Sequence, residues 1–134
     1  MINFAVARIS EFDSTVQRVY KLIRDGKCLL DSFIEEHEGS NLEGELATIY
    51  QIIEDVANCK AHPKCKKLHL GKSTFHGYEA KSKHLRTYFF HEKGTGQIVV
   101  IGGTKKNQVQ DIDRFKKIIK EYQRFKEAKN DRKT

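Results

Sequence analysis

The sequence predicts an α+β fold: an N-terminal strand and helical hairpin, an antiparallel sheet of three to four strands, and a C-terminal helix, in one domain over residues 1–134. Three observations predict it. Apolar residues recur at three- and four-residue steps from Val16 to Val56. They switch to alternation after Pro63, the only proline, and return to helical steps from Ile112 to Phe125. Helices first, then a run of strands, then a helix is an α+β order.

Residues 2–9 read as a short strand, with Ile2, Phe4, Val6 and Arg8 alternating with smaller or polar neighbours. Asp13 or Ser14 is placed to cap a helix. Its apolar positions are Val16, Val19, Tyr20, Ile23, Leu30, Phe33 and Ile34, and Gly26 makes it one kinked helix or two short ones. Glu38-Gly39-Ser40-Asn41 is a turn. A second helix over about Leu42–Cys59 carries Leu42, Leu46, Ile49, Tyr50, Ile53 and Val56 on one stripe. The link is short, so the two form an antiparallel hairpin over about 14–59.

His62-Pro63 breaks the pattern. Lys67–Leu70, Phe75–Ala80 (with Gly77 as a bend or bulge) and Leu85–His91 read as strands. Lys93–Gly96 is a hairpin loop. Gln97–Ile101 is a buried, central strand that Gly102-Gly103 ends. A helix over about Val109–Ala128 presents Ile112, Phe115, Ile118, Ile119, Tyr122 and Phe125 on one side, and Asn130–Thr134 is a frayed tail. Sheet and last helix together span about 66–128.

Charge is divided unevenly. Residues 1–59 carry five Lys/Arg against eleven Asp/Glu, while residues 60–134 carry twenty against seven. A basic half of this kind suits a polyanion, above all RNA, because Lys and Arg neutralise phosphates. The plain alternative is a solvated basic surface. No apolar run is long enough for a membrane span, and the N-terminus lacks the charged start and apolar length of a signal peptide. Three cysteines, Cys28, Cys59 and Cys65, make no disulfide framework, so a cytoplasmic location is expected.

The sequence contains no Gly-rich phosphate loop, no His-Glu-x-x-His and no Gly-x-Ser-x-Gly. Cys59-x-x-His62-x-x-Cys65 has a metal-like spacing, but neither His69 nor Cys28 is marked out as a fourth ligand. It reads better as a helix end followed by a loop, and no metal or other cofactor is expected. Tyr78, Glu79, Lys81, Lys83, His84 and Arg86 form a denser constellation, with Lys105 and Lys106 following the buried strand. Arg86 shares a strand face with Tyr88 and Phe90, and a charge there needs a partner or an open cleft. Pairing across the 93–96 hairpin brings Arg86 towards the two lysines. The plain readings are an Arg86 ion pair with Glu79 or Glu92, solvated lysines, and tyrosines that only pack.

The run Leu85-Arg86-Thr87-Tyr88-Phe89-Phe90, the hairpin, then Ile98-Val99-Val100-Ile101-Gly102-Gly103-Thr104-Lys105-Lys106-Asn107-Gln108 and the helix with Ile112 resemble the RelE/ParE superfamily of type II toxin–antitoxin toxins. The resemblance is to the phage-derived HigB-like branch and covers about residues 66–122. It implies a ribosome-dependent mRNA endoribonuclease that inhibits translation, uses no metal, and is neutralised by a cognate antitoxin. The ribose 2′-hydroxyl attacks the adjacent phosphate, leaving a cyclic phosphate and a 5′-hydroxyl. Arg86 matches the strand arginine that would bind the scissile phosphate. Lys105 and Lys106 match the basic pair that would stabilise charge. His84, Lys81 or Lys83 would serve proton transfer, and Tyr78 or Tyr88 would stack on a base. Some members carry a tyrosine shortly after the basic pair, where this chain reads Val109-Gln110-Asp111. ParE-like relatives act on DNA gyrase, so a protein target and a non-catalytic nucleic-acid-binding module stand beside the nuclease.

Overall fold

The structure is a computed structural model that describes residues 2–71, 73 and 75–133. The chain runs β1 (Phe4–Arg8), β2 (Val19–Arg24), α1 (Leu29–His37), α2 (Glu43–Ala57), β3 (Cys65–Leu68), β4 (His76–Lys81), β5 (Leu85–Glu92), β6 (Gly96–Thr104) and α3 (Gln108–Lys133), with 3-10 turns at Ser10–Phe12 and Lys105–Asn107. All six strands form one sheet in the order β1-β2-β6-β5-β4-β3. The β2–β6 pair is parallel and the other four are antiparallel. The fold is therefore α+β, but the sheet is larger than three to four strands and it is mixed.

The largest correction is in residues 14–24, expected to be helical. They form a loop and β2 instead. Val19 packs with α1 and α2 on one face of the sheet, and Leu22 packs with Phe4 and α3 on the other. A strand covered on both faces loses its alternation, and its apolar residues then mimic helical steps. Asp25 and Gly26 both have positive φ, and Arg24 bridges Lys27 across them. Gly26 thus sits in a tight turn and does not kink a helix. The helical pair is α1 and α2, starting at Leu29.

Two cores flank the sheet. On one face Phe33, Ile49, Ile52 and Ile53 of α1 and α2 meet Val19, Leu85, Phe89 and Val99. On the other, Phe115, Ile118, Ile119 and Tyr122 of α3 meet Tyr88, Phe90, Ile98 and Val100. Fully burying one such side chain contributes about 1.5–3 kcal/mol. Val99 and Val100 face opposite cores as expected, but Val100 and Ile101 share one, because the register shifts between Tyr88 and Phe89.

Gly102 and Gly103 do not end β6. A Cβ on Gly102 would collide with the Phe33 ring, and one on Gly103 with the Asp111 carboxylate. The pair lets α1 and α3 approach the sheet from opposite faces. The first β-strand after Pro63 is Cys65–Leu68, earlier than expected. Helix α3 continues through Asn130 to Lys133, so that part of the expected tail is helical, and Thr134 lies outside the described residues. Among the described residues no helix is long and apolar enough to cross a membrane.

Candidate nucleic-acid interface at one end of the sheet

The β4–β5 turn, Ser82–Leu85, lies beside the exit of β6. The Ser82 amide donates to the Leu85 carbonyl at 3.0 Å, and the Leu85 amide to Ser82 Oγ at 3.2 Å. The Lys105 amide donates to the His84 carbonyl at 2.8 Å. Residues 21 positions apart in sequence are thereby held together, and the basic pair adjoins the turn.

Glu45, from the first turn of α2, fastens this end. Its Oε1 accepts from the Ser82 hydroxyl and from the His84 amide at 2.7 Å, and its Oε2 lies 2.7 Å from His84 Nδ1. Burial by itself would raise the pKa of this carboxyl. The hydrogen bonds from Ser82 and His84, with the His84 charge, outweigh it and pull the value from 4.5 to about 2. Glu45 is therefore a carboxylate at neutral pH and can only accept, so Nδ1 of His84 carries a proton. The other ring nitrogen, Nε2, makes no hydrogen bond among the described residues, and the side chain is 54% exposed. This arrangement orients the imidazole through Nδ1 by a carboxylate and leaves Nε2 turned away from protein partners, the geometry in which a histidine exchanges protons with a substrate.

Four lysines lie at the same end of the sheet. Lys81, Lys83, Lys105 and Lys106 are exposed, and none of the four is ion-paired among the described residues. Six of the eight expected site residues thus gather at one end: Lys81, Lys83, His84, Arg86, Lys105 and Lys106.

Arg86 departs from expectation in its state. It lies second in β5, opposite Lys81 and Gly103, and is 6% exposed. Its Nη1 donates to the carbonyls of Ser82 and Leu85, both at 2.8 Å, and its Nε has no partner. The guanidinium braces the turn from beneath. Neither an open cleft nor an ion pair with Glu79 or Glu92 receives it among the described residues. Glu79 accepts instead from Gln108 Nε2 at 2.7 Å, and Glu92 from the Tyr122 hydroxyl at 3.0 Å.

The two tyrosines also differ from expectation. Tyr88 is fully buried against Phe115, so it packs and offers no ring to a base. Burial, then the neighbouring Glu79 carboxylate, pushes its hydroxyl pKa up. Tyr78 is half-buried and stacks on Phe89 with ring centres 5.3 Å apart, on the opposite sheet face from Arg86. Sequence reasoning missed Glu45 and Ser82. Glu45 lies 39 residues from His84, and no local pattern links them.

Cys59, His62 and Cys65 all line one pocket beside the C-terminal end of α2. The Lys64 amide donates to His62 Nδ1 at 3.0 Å, and burial pushes the Cys65 thiol pKa up to about 11. Among the described residues no three His, Cys, Asp or Glu side chains are grouped to hold a metal ion. Comparison of the chain with protein-family models, curated proteins and solved structures finds no match in any of the three.

Proposed function

We propose that the chain is the toxin of a toxin–antitoxin pair, similar to the RelE/ParE superfamily, and that it cleaves mRNA on cytoplasmic ribosomes by metal-independent 2′-hydroxyl attack. The observation that carries this reading is the His84–Glu45 pair at the end of the sheet that also carries Lys81, Lys83, Lys105 and Lys106, none of them ion-paired among the described residues.

In this mechanism His84 Nε2 takes the proton of the 2′-hydroxyl. A bond forms from the 2′-oxygen to phosphorus, and the bond from phosphorus to the 5′-oxygen breaks. Lys83, Lys105 and Lys106 stabilise the extra negative charge of the phosphorane. The 5′-oxygen recovers a proton from the imidazolium, leaving a 2′,3′-cyclic phosphate and a 5′-hydroxyl. Arg86 acts through the turn it braces, and Glu45 holds the tautomer of His84. A cognate antitoxin with an acidic segment suits this cationic end.

The test is cleavage of a defined mRNA by the purified chain, with and without ribosomes and with EDTA present. His84→Ala should lower the rate about 100-fold or more, Glu45→Gln should lower it less, and EDTA should have no effect. A wild-type chain that cleaves no mRNA on ribosomes and arrests no growth on expression would sink the nuclease reading. The burial of Arg86 favours a second reading, a nucleic-acid-binding module without cleavage. Under it, Lys105→Ala and Lys106→Ala would each reduce the salt dependence of RNA binding.

A further inference from the structure

Far from His84, the sheet carries a second feature. A pocket of about 420 Å³ lies on the face that α1 and α2 cover elsewhere, just past the C-terminal end of α2. Its floor comes from neighbouring strands in register: Lys67 opposite Tyr78, and His91 opposite Gln97. Tyr78 pairs with Phe89, two residues before His91, so the four side chains share one face. Gln17 and Lys60 close the sides from loops. The Gln17 amide donates to the Ala57 carbonyl at 2.8 Å, which fixes that loop to the helix end.

The chemistry of the lining is selective. Gln97 donates to the Gln17 side-chain carbonyl at 2.7 Å, and its own side-chain carbonyl oxygen is buried without a donor. No carboxylate lines the pocket, while Lys60 and Lys67 are exposed at it. Burial, with nearby His76, lowers the pKa of His91 below its ordinary 6.5, so the ring is neutral at pH 7. Besides Cys59, His62 and Cys65, the lining offers an aromatic ring, a neutral imidazole, paired amides and two cations without an ion pair among the described residues, which match a planar, hydrogen-bonding, anionic ligand. The volume is in the range of small-ligand sites.

We propose that this pocket binds a nucleobase together with its 5′-phosphate. Tyr78 and His91 provide ring surface for the base, the Gln17 and Gln97 amides meet its edge, and Lys60 and Lys67 hold the phosphate. The site lies about 20 Å from His84, at the far end of β5. It does not depend on cleavage at His84.

The test titrates the whole chain with the four ribonucleoside 5′-monophosphates, with inorganic phosphate, and with an end-blocked single-stranded oligoribonucleotide. Calorimetry gives Kd, and NMR of the tyrosine and histidine rings reports location. At least one mononucleotide should bind more tightly than phosphate and shift Tyr78 and His91. Tyr78→Leu should weaken it on the order of tenfold. The Lys60→Glu/Lys67→Glu pair, at exposed positions, should weaken it similarly and keeps the test valid if Tyr78→Leu unfolds. His84→Ala should bind as wild type, which separates this proposal from the nuclease reading. Matching shifts with the oligonucleotide identify RNA as the source, and shifts with mononucleotides alone identify a free nucleotide. Equal affinity for phosphate, unchanged affinity in the lysine variant, or shifts confined to other rings would overturn it.

Discussion

The two faces of the sheet are built differently. Under α1 and α2 the middle of the sheet is apolar: Phe33, Ile49, Ile52 and Ile53 meet Leu85, Phe89 and Val99. Under α3 an apolar core of similar extent is joined by buried polar groups. Glu79, Arg86 and Glu92 there are all at most 7% exposed, whereas unpartnered buried atoms among the described residues occur on both faces: Arg86 Nε, the Tyr88 hydroxyl and Asp111 Oδ2 under α3, and Thr87 Oγ1 and Gln97 Oε1 under α1 and α2. Buried orphans of this kind cost stability. The comparison teaches that the face under α3 is the one that buries charged sheet residues, with Arg86 among them at the basic end.

The largest effect should come from the dry face. Phe89→Ala should cost about 3–5 kcal/mol in urea unfolding. On the α3 face, Tyr88→Phe removes one buried hydroxyl beside the Glu79 carboxylate and should cost no more than about 1.5 kcal/mol. Equal losses from the two substitutions would erase the distinction between the faces.

Gly103→Ala should come next, costing about 1–3 kcal/mol, since its Cβ would strike the Asp111 carboxylate. The loss should fall when Asp111→Ala is combined with it, as a double-mutant cycle by chemical denaturation would show. Additive losses would mean that the α3 contact is not where the strain arises.

Two acid-side effects are smaller and opposite in sign. The folded pKa of Glu45 is depressed, so its stabilisation is complete above 4.5 and is lost as pH falls from there through about 2. The Tm gap between wild type and Glu45→Gln should close over that window. Burial raises the pKa of Asp111 above its ordinary 3.8, with Arg114 opposing. Its penalty is present above the raised folded value and is relieved as pH falls towards 3.8. Asp111→Asn should therefore gain stability near pH 7, by less than about 1 kcal/mol, and the gain should shrink on acidification. A loss near pH 7 that closed on acidification would show that Asp111 is stabilised by Arg114.

Much of the molecule was written locally. The stripes of α2 and α3 and the alternation of β4 and β5 follow from side-chain periodicity, which each element imposes on its own residues. The clustering of cations after residue 60 is likewise a property of composition, and the 93–96 hairpin carried Arg86 towards Lys105. Strand β2 was not legible. Covered on both faces, it shows no alternation, and its parallel partner in β6 is 78 positions away. Its one local signal was the turn-forming Asp25-Gly26 pair.

The sequence by itself determined the α+β class, the two late periodicities and the location of the basic residues. Tertiary structure alone decided that β2 enters the sheet, that Tyr88 is core, that Arg86 faces two carbonyls, and that Glu45 orients His84. The reason is physical: periodicity is enforced between neighbours in sequence. A hydrogen bond across 39 residues, or a second helix covering a strand, is specified only when the layers pack.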